Sequence, residues 1–274
     1  MIYLAALLLG IVQGLTEFLP VSSSAHLILA RLFFGWDAGR LGLPFDVACH
    51  VGTLAAVVVF FRADLVELAK AAPGLARLPL WPAEGPGRRL RLIILGTIPV
   101  VVAGLLLAGS IEDALRTPWV AAVSLAAVAV LLLVVERVGR RTGDEASLSA
   151  PAALAVGVAQ AAALVPGVSR SGATITAGMF SGLRRDAAAR FSFVLGVPAI
   201  LAAAGHEGLH LLRAGMTLDE AALFLVGMGV SGVVGYLTIK YFLRYLASHS
   251  LDVFAWYRLA LAVVTVWWLL GGRG

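Results

Sequence analysis

QGLTEFLPVSSSAH, residues 13–26, sets a carboxylate, three serines and a histidine inside an otherwise apolar amino-terminal segment, and its Glu17 is the first charged residue of the chain. Pro20 and the serines interrupt an apolar stretch running from residue 1 to 34. A second apolar stretch, 149–183, is interrupted in the same way by VPGVSRSG. Breaks of this kind at membrane depth are tolerated only where the exposed backbone is buried in protein or lines a wet cavity. Each stretch therefore reads as a helix that enters, stops partway and returns.

The surroundings demand a membrane. Of the 274 residues, 60% are hydrophobic and only 14% charged, well away from the balance of soluble domains. Apolar runs near 45–61, 90–109, 119–135, 190–211, 220–241 and 253–270 are each long enough to cross a bilayer core of about 30 Å. The expected fold is an all-α integral membrane protein, six transmembrane helices plus two re-entrant helical hairpins, in a single membrane domain over 1–274. The amino terminus has neither a basic n-region nor an A-x-A site, so it is expected to be retained. Cys49 is the only cysteine, which excludes an intrachain disulfide and reads as a buried structural thiol. The net charge of +5 is scattered through short loops and is not gathered into an aromatic-laced stripe, which argues against nucleic acid as a partner.

The two interrupted stretches resemble each other. With a constant offset of 147, Gly10, Gln13, Val21, Ser22 and Ser24 match Gly157, Gln160, Val168, Ser169 and Ser171. The chain thus divides into a first repeat of about 1–138 and a second of about 149–272, each a hairpin followed by three spans. An odd number of spans inverts the second repeat, so the hairpins enter from opposite faces and their polar tips meet near the midplane.

Loop charges orient this scheme. With the amino terminus outside, the cytoplasmic side receives Arg62, Lys70, Arg77, Arg88, Arg89, Arg91, Arg137, Arg140, Arg141, Arg184, Arg185, Arg190, Lys240 and Arg244, fourteen of the twenty-one Lys and Arg. The outer side receives Arg31, Arg40, Arg116, Arg213, Arg258 and Arg273, in keeping with the positive-inside bias. Arg170 belongs to neither set. Trp36, Trp81, Trp119, Trp267 and Trp268 fall near predicted span ends, as interfacial belts require.

An ionisable residue at membrane depth costs about 2.5–3.5 kcal/mol even on tolerant insertion scales, and is by default a functional hypothesis. Glu17 and Arg170 are two such residues, and a structural ion pair is the competing explanation. Their neighbours favour function. Around Arg170, Ser169, Ser171 and Thr174 add hydroxyls to a turn that opens a helix, and hydroxyls, free amides and a guanidinium fork together suit a phosphate. Close packing of small residues explains each serine singly but not the Arg. In the first hairpin Ser22 is a natural N-cap, Ser23 and His26 share one helical face, and so do Gln13 and Glu17. His50, near Asp46 in a span, reads equally well as supporting or structural. His206 and His210 have metal-ligand spacing, but with Glu207 they fall in a predicted outer loop and read as solvated.

QGLTEFLPVSSSAH and PGVSRSGAT resemble the two signature motifs of the bacterial undecaprenyl-diphosphate phosphatase family, the bacitracin-resistance proteins, and the resemblance extends over essentially the whole chain. It implies an inverted repeat with two re-entrant hairpins, a site open to the outer face of the bacterial cytoplasmic membrane, and removal of the terminal phosphate from a polyprenyl diphosphate lipid to recycle the carrier for peptidoglycan synthesis. Position by position it puts catalysis on Glu17, Ser23, His26 and Arg170, and substrate binding on Gln13, Ser22, Ser24, Ser169, Ser171 and Thr174. Gln13 stands where many members have Glu, and Ser24 and Ala25 where many have Thr and Gly. Glu17 is then the only carboxylate left for a divalent cation, Mg²⁺ or Ca²⁺, shared with phosphate oxygens. The expected chemistry is attack by Ser23 on the terminal phosphorus with His26 or Glu17 as proton acceptor, a water nucleophile being the other route. A flippase or secondary transporter is the rival reading, because broken helices in an inverted repeat also build transporters. The acid-phosphatase type of lipid phosphatase is disfavoured, since its long basic signature and second catalytic histidine are absent. A homodimer is compatible with all of these readings.

Overall fold

The structure is a computed structural model, and it describes residues 1–75, 84–214 and 216–271, with the side chains of 108, 110–113, 207 and 210–214 outside the described set. The expectations for Arg77, Trp81 and Arg273, and for the side chains of Glu207, His210 and Arg213, fall outside the described residues.

Eleven α-helices are present among the described residues: α1 (Ile2–Thr16), α2 (Ser23–Phe34), α3 (Leu43–Phe60), α4 (Arg62–Ala71), α5 (Pro86–Leu115), α6 (Pro118–Val138), α7 (Ala150–Ala162), α8 (Arg170–Phe180), α9 (Arg185–Ala214), α10 (Leu218–Leu246) and α11 (Asp252–Gly271). Their starts follow local chemistry. Thr117 and Ser149 accept hydrogen bonds from Val120 N and Ala152 N, with a proline in the first helical turn, and Thr217 forms a reciprocal capping box with Glu220. Six helices, α3, α5, α6, α9, α10 and α11, are long and apolar enough to cross a membrane, matching the six predicted spans. This is a multi-pass membrane protein.

The remaining helices differ in length. α1, α2, α7 and α8 have 15, 12, 13 and 11 residues, so at about 1.5 Å per residue each is shorter than the roughly 30 Å of a bilayer core. They form two pairs, each followed by three long helices. α4 is an addition that apolar run-length does not reveal. It is a short helix with Asp64, Glu67 and Lys70 among its residues and Leu68 buried.

The first helix of each short pair crosses into the opposite half. α1 packs on α10 and α7 on α5. Glycines make the approach close: a Cβ on Gly14 would sit 2.9 Å from Ser231 O, and one on Gly157 would collide with Gly96 O. A core of Phe18, Phe61, Phe193 and Phe242, with ring centroids 5.2–6.4 Å apart, joins the first hairpin turn to α9 and α10.

Ion pairs gather in separate groups. Glu136 is held by Arg141 at 2.8 Å and Arg185 at 2.5 Å, and Asp64 by Arg89 at 2.5 Å; these arginines all belong to the predicted cytoplasmic set. Burial pushes the Glu145 carboxyl above the usual carboxylate range although Arg89 lies 2.9 Å away. Away from them, Arg40 pairs with Asp219 and Arg31 with Asp46. Three expectations are corrected here. Arg31, counted among the outer loop charges, lies in α2, buried, with Nη1 and Nη2 on Asp46 at 2.7 and 2.9 Å. Arg258 is fully buried in α11. His206 lies on α9, which continues to Ala214, so the predicted outer loop there is helical.

Candidate active site

The two hairpin turns have the same local construction. Ser22 (φ 73°, ψ 96°) and Ser169 (φ 72°, ψ 115°) both adopt a left-handed backbone, which is costly for a residue with a Cβ. Each compensates by capping the helix it opens: Ser22 Oγ accepts from Ala25 N at 3.4 Å and Ser169 Oγ from Gly172 N at 3.1 Å. Each also has its Oγ 3.2 Å from that of the serine two positions on. The offset of 147 thus relates conformation as well as residue type.

The turns meet through Glu17, the residue that caps the end of α1. Its Oε1 accepts from Arg170 Nη2 at 2.6 Å; its Oε2 accepts from Ser23 Oγ at 2.6 Å and from Gln13 Nε2 at 2.9 Å. His50 Nε2, on α3, is 3.4 Å from the same Oε2, while its Nδ1 is 2.7 Å from Asp46 O. The Arg170 guanidinium packs against Gly196 of α9, where any Cβ would collide with it. A cavity of about 230 Å³ opens beside this cluster, lined by Glu17, Ser22, Ser23, Ser24, His50, Gln160, Ser169 and Arg170 and walled by Val47, Val100, Ala199 and Ile200. Arg170 Nη1, Gln160 Oε1 and Gln13 Oε1 are buried without a hydrogen-bond partner, whereas buried polar groups are normally satisfied. Of these residues Arg170 and Gln160 line the cavity, and unspent donors and acceptors there suit a polar ligand.

Not every predicted residue faces this cavity. Ser171 Oγ donates to Leu19 O at 2.9 Å and lies 3.2 Å from Glu17 O, so it staples the second hairpin to the first. Thr174 Oγ1 donates to Arg170 O at 2.7 Å and is buried against Ser192. Gln13 lies behind Glu17 and orients it. The largest difference concerns His26, expected to converge with Ser23. Its Nδ1 is 2.7 Å from Ser22 O and its Nε2 is 2.7 Å from Tyr257 Oη, on which its ring is stacked. The two residues are three apart, but the start of α2 turns Ser23 toward Glu17 and His26 toward α11.

Three residues of the site were not assigned to it from sequence. Gln160 had a signal, its match to Gln13 across the repeat. His50 had a weaker one, a polar residue inside an apolar span. Arg258, which donates to carbonyls of both turns, was hidden by its nearness to a span end.

No group of three His, Cys, Asp or Glu that could hold a metal occurs among the described residues. The donor set at the cavity, one carboxylate with the unpartnered Gln160 Oε1, fits a hard cation only if phosphate oxygens complete its coordination.

Residues 6–264 match the family described as Bacitracin resistance protein BacA. The chain is 49% identical to the undecaprenyl-diphosphatase of Rubrobacter xylanophilus over 267 residues, 97% of this chain and 98% of that protein. It is 46% identical to that of Trichlorobacter lovleyi over 272 residues, 98% and 97% of the two chains, and 44% identical to that of Nitrosococcus oceani over 262 residues, 96% and 97%.

Proposed function

The chain belongs to the bacitracin resistance protein BacA family, and from that premise we infer that it is an undecaprenyl-diphosphate phosphatase, a membrane hydrolase that removes the terminal phosphate of the polyprenyl diphosphate carrier. The single observation that carries the reading is the Ser23–Glu17–Arg170 chain, with a hydroxyl, a carboxylate and a guanidinium joined by two 2.6 Å contacts at the edge of one cavity. Binding or flipping a lipid needs the guanidinium; it does not need a hydroxyl aimed at a base.

Phosphoryl transfer asks the protein mainly for positioning and charge neutralisation. Arg170 Nη1, unpartnered, and the Ser22, Ser24 and Ser169 hydroxyls hold the diphosphate. Ser23 Oγ attacks the terminal phosphorus while Glu17 Oε2 takes its proton; the bond from that phosphorus to the bridging oxygen breaks, and the polyprenyl monophosphate leaves. Water then cleaves the phosphoserine, releasing inorganic phosphate and restoring the hydroxyl. His26, committed to Ser22 and Tyr257, positions the start of α2 and is not the proton acceptor. Glu17 and Gln160 would hold the Mg²⁺ or Ca²⁺, which supplies further neutralisation of phosphate charge when bound. His50 steadies the Glu17 carboxylate from the side opposite Arg170.

The hairpins are read as re-entrant and the two repeats as inverted, supported by the short helices, the paired Ser22 and Ser169 turns and the crossed packing of α1 and α7. With the positive-inside orientation, the cavity faces the outer side of the membrane, which suits a lipid released by cell-wall synthesis.

Release of inorganic phosphate from a polyprenyl diphosphate by purified protein in detergent is the deciding measurement, made with and without chelator. Activity is expected and is expected to fall with chelator; no release at all leaves the transporter reading. Ser23→Ala is expected to reduce release by about 10³-fold. Full activity in that variant would transfer the nucleophile's role to water. His50→Leu, which removes both ring nitrogens, is expected to lower the rate about 10-fold, and an unchanged rate would leave His50 with packing alone.

A further inference from the structure

Arg258 is the one fully buried arginine among the described residues, and it has no carboxylate partner among them. A lone buried cation is expensive. What surrounds it is a ring of backbone carbonyls from three separate segments. Nε donates to Leu125 O at 3.1 Å; Nη1 to Pro20 O at 3.0 Å; Nη2 reaches Gly167 O at 2.7 Å, with Ser124 O and Val168 O each at 3.2 Å. Pro20 is in the first hairpin turn, Gly167 and Val168 in the second, and Ser124 and Leu125 on α6. The turn carbonyls belong to interrupted backbone outside the helical ladder, and at membrane depth they need donors from the protein. Only a guanidinium, with five N–H groups in a rigid plane, can serve so many acceptors from one side chain.

We propose that Arg258 is a positioning residue of the phosphatase site, clamping the two hairpin turns so that Ser23 and Glu17 from one meet Arg170 from the other. The inference rests on the phosphatase reading for its kinetic consequence and on the bonds to Pro20, Gly167 and Val168 for its geometry. Arg258 Nη1 lies against the first turn of α8, 3.4 Å from where a Cβ on Gly172 would be. This contact adds the first turn of α8, which carries Arg170, to the segments that Arg258 touches.

The test is Arg258→Lys, which keeps the charge but concentrates its donors on one nitrogen, with Arg258→Gln beside it. In folded Arg258→Lys, kcat is expected to fall on the order of 100-fold with KM changed less than about threefold, since small misplacements of reacting groups have effects of that size. Hydrogen exchange of residues 17–22 and 163–169 is expected to quicken together in the same protein. Unchanged kcat, a lowered melting temperature with unchanged kcat, or lost kcat with unaltered exchange at both turns would each overturn the proposal; so would aggregation of both variants on size exclusion, which would make the role architectural only. Wild-type protein that releases no phosphate would sink the phosphatase reading instead, and the clamp would then be judged by the exchange of the two turns.

Discussion

Glu17→Gln is expected to lower phosphate release by at least about 10³-fold while leaving the protein folded. The substitution keeps the shape of the side chain and an oxygen for one hydrogen bond. It removes the negative charge that Arg170 meets at 2.6 Å, and the basic oxygen that Ser23 Oγ meets at 2.6 Å. Among the described residues no other carboxylate lines the cavity, so none of them can take over. Loss of the charge also frees Arg170, whose grip on the diphosphate should tighten, so KM is expected to fall or hold while kcat collapses. Steady-state release by purified protein with an unchanged size-exclusion profile checks this. A rate within tenfold of wild type would show that Glu17 is neither base nor metal ligand.

Arg170→Ala is expected to be as severe, for a different reason. It deletes the guanidinium that lines the cavity and leaves Glu17 buried without its cation, so both binding and stability suffer; breaking a buried pair typically costs about 3–5 kcal/mol. Arg170→Lys separates the two effects. It restores charge without the planar fork that fits between Gly196 and Glu17. Its kcat/KM is expected to fall about 10²-fold with a near-normal melting temperature. Wild-type kcat/KM in Arg170→Lys would mean that the fork is not used on phosphate.

The membrane class, the six spans and the two interrupted stretches were legible because apolar run-length is a property of contiguous residues, and a Pro, Gly or Ser break within such a run is equally local. The likeness of the two turns was legible because Ser22 and Ser169 need the same unusual backbone, and that need left matching sequence around them. α4 was missed because a short helix with several charges looks like a loop when judged by hydropathy alone.

Side-chain destinations were not local. Arg31 and Arg258 looked alike, each an arginine near a span end, yet one pairs with Asp46 and the other collects carbonyls from three segments. Ser23 and His26 share a helical face by spacing, but only Ser23 reaches Glu17. His50 and Gln160 enter the cavity from α3 and α7. From the sequence alone came the residues with chemistry to offer and the turns that present them, since composition and backbone demand are written in consecutive positions. Which of those groups touch was decided by the packing of α1 on α10 and α7 on α5, because contact between turns about 150 residues apart depends on where the rest of the chain places them.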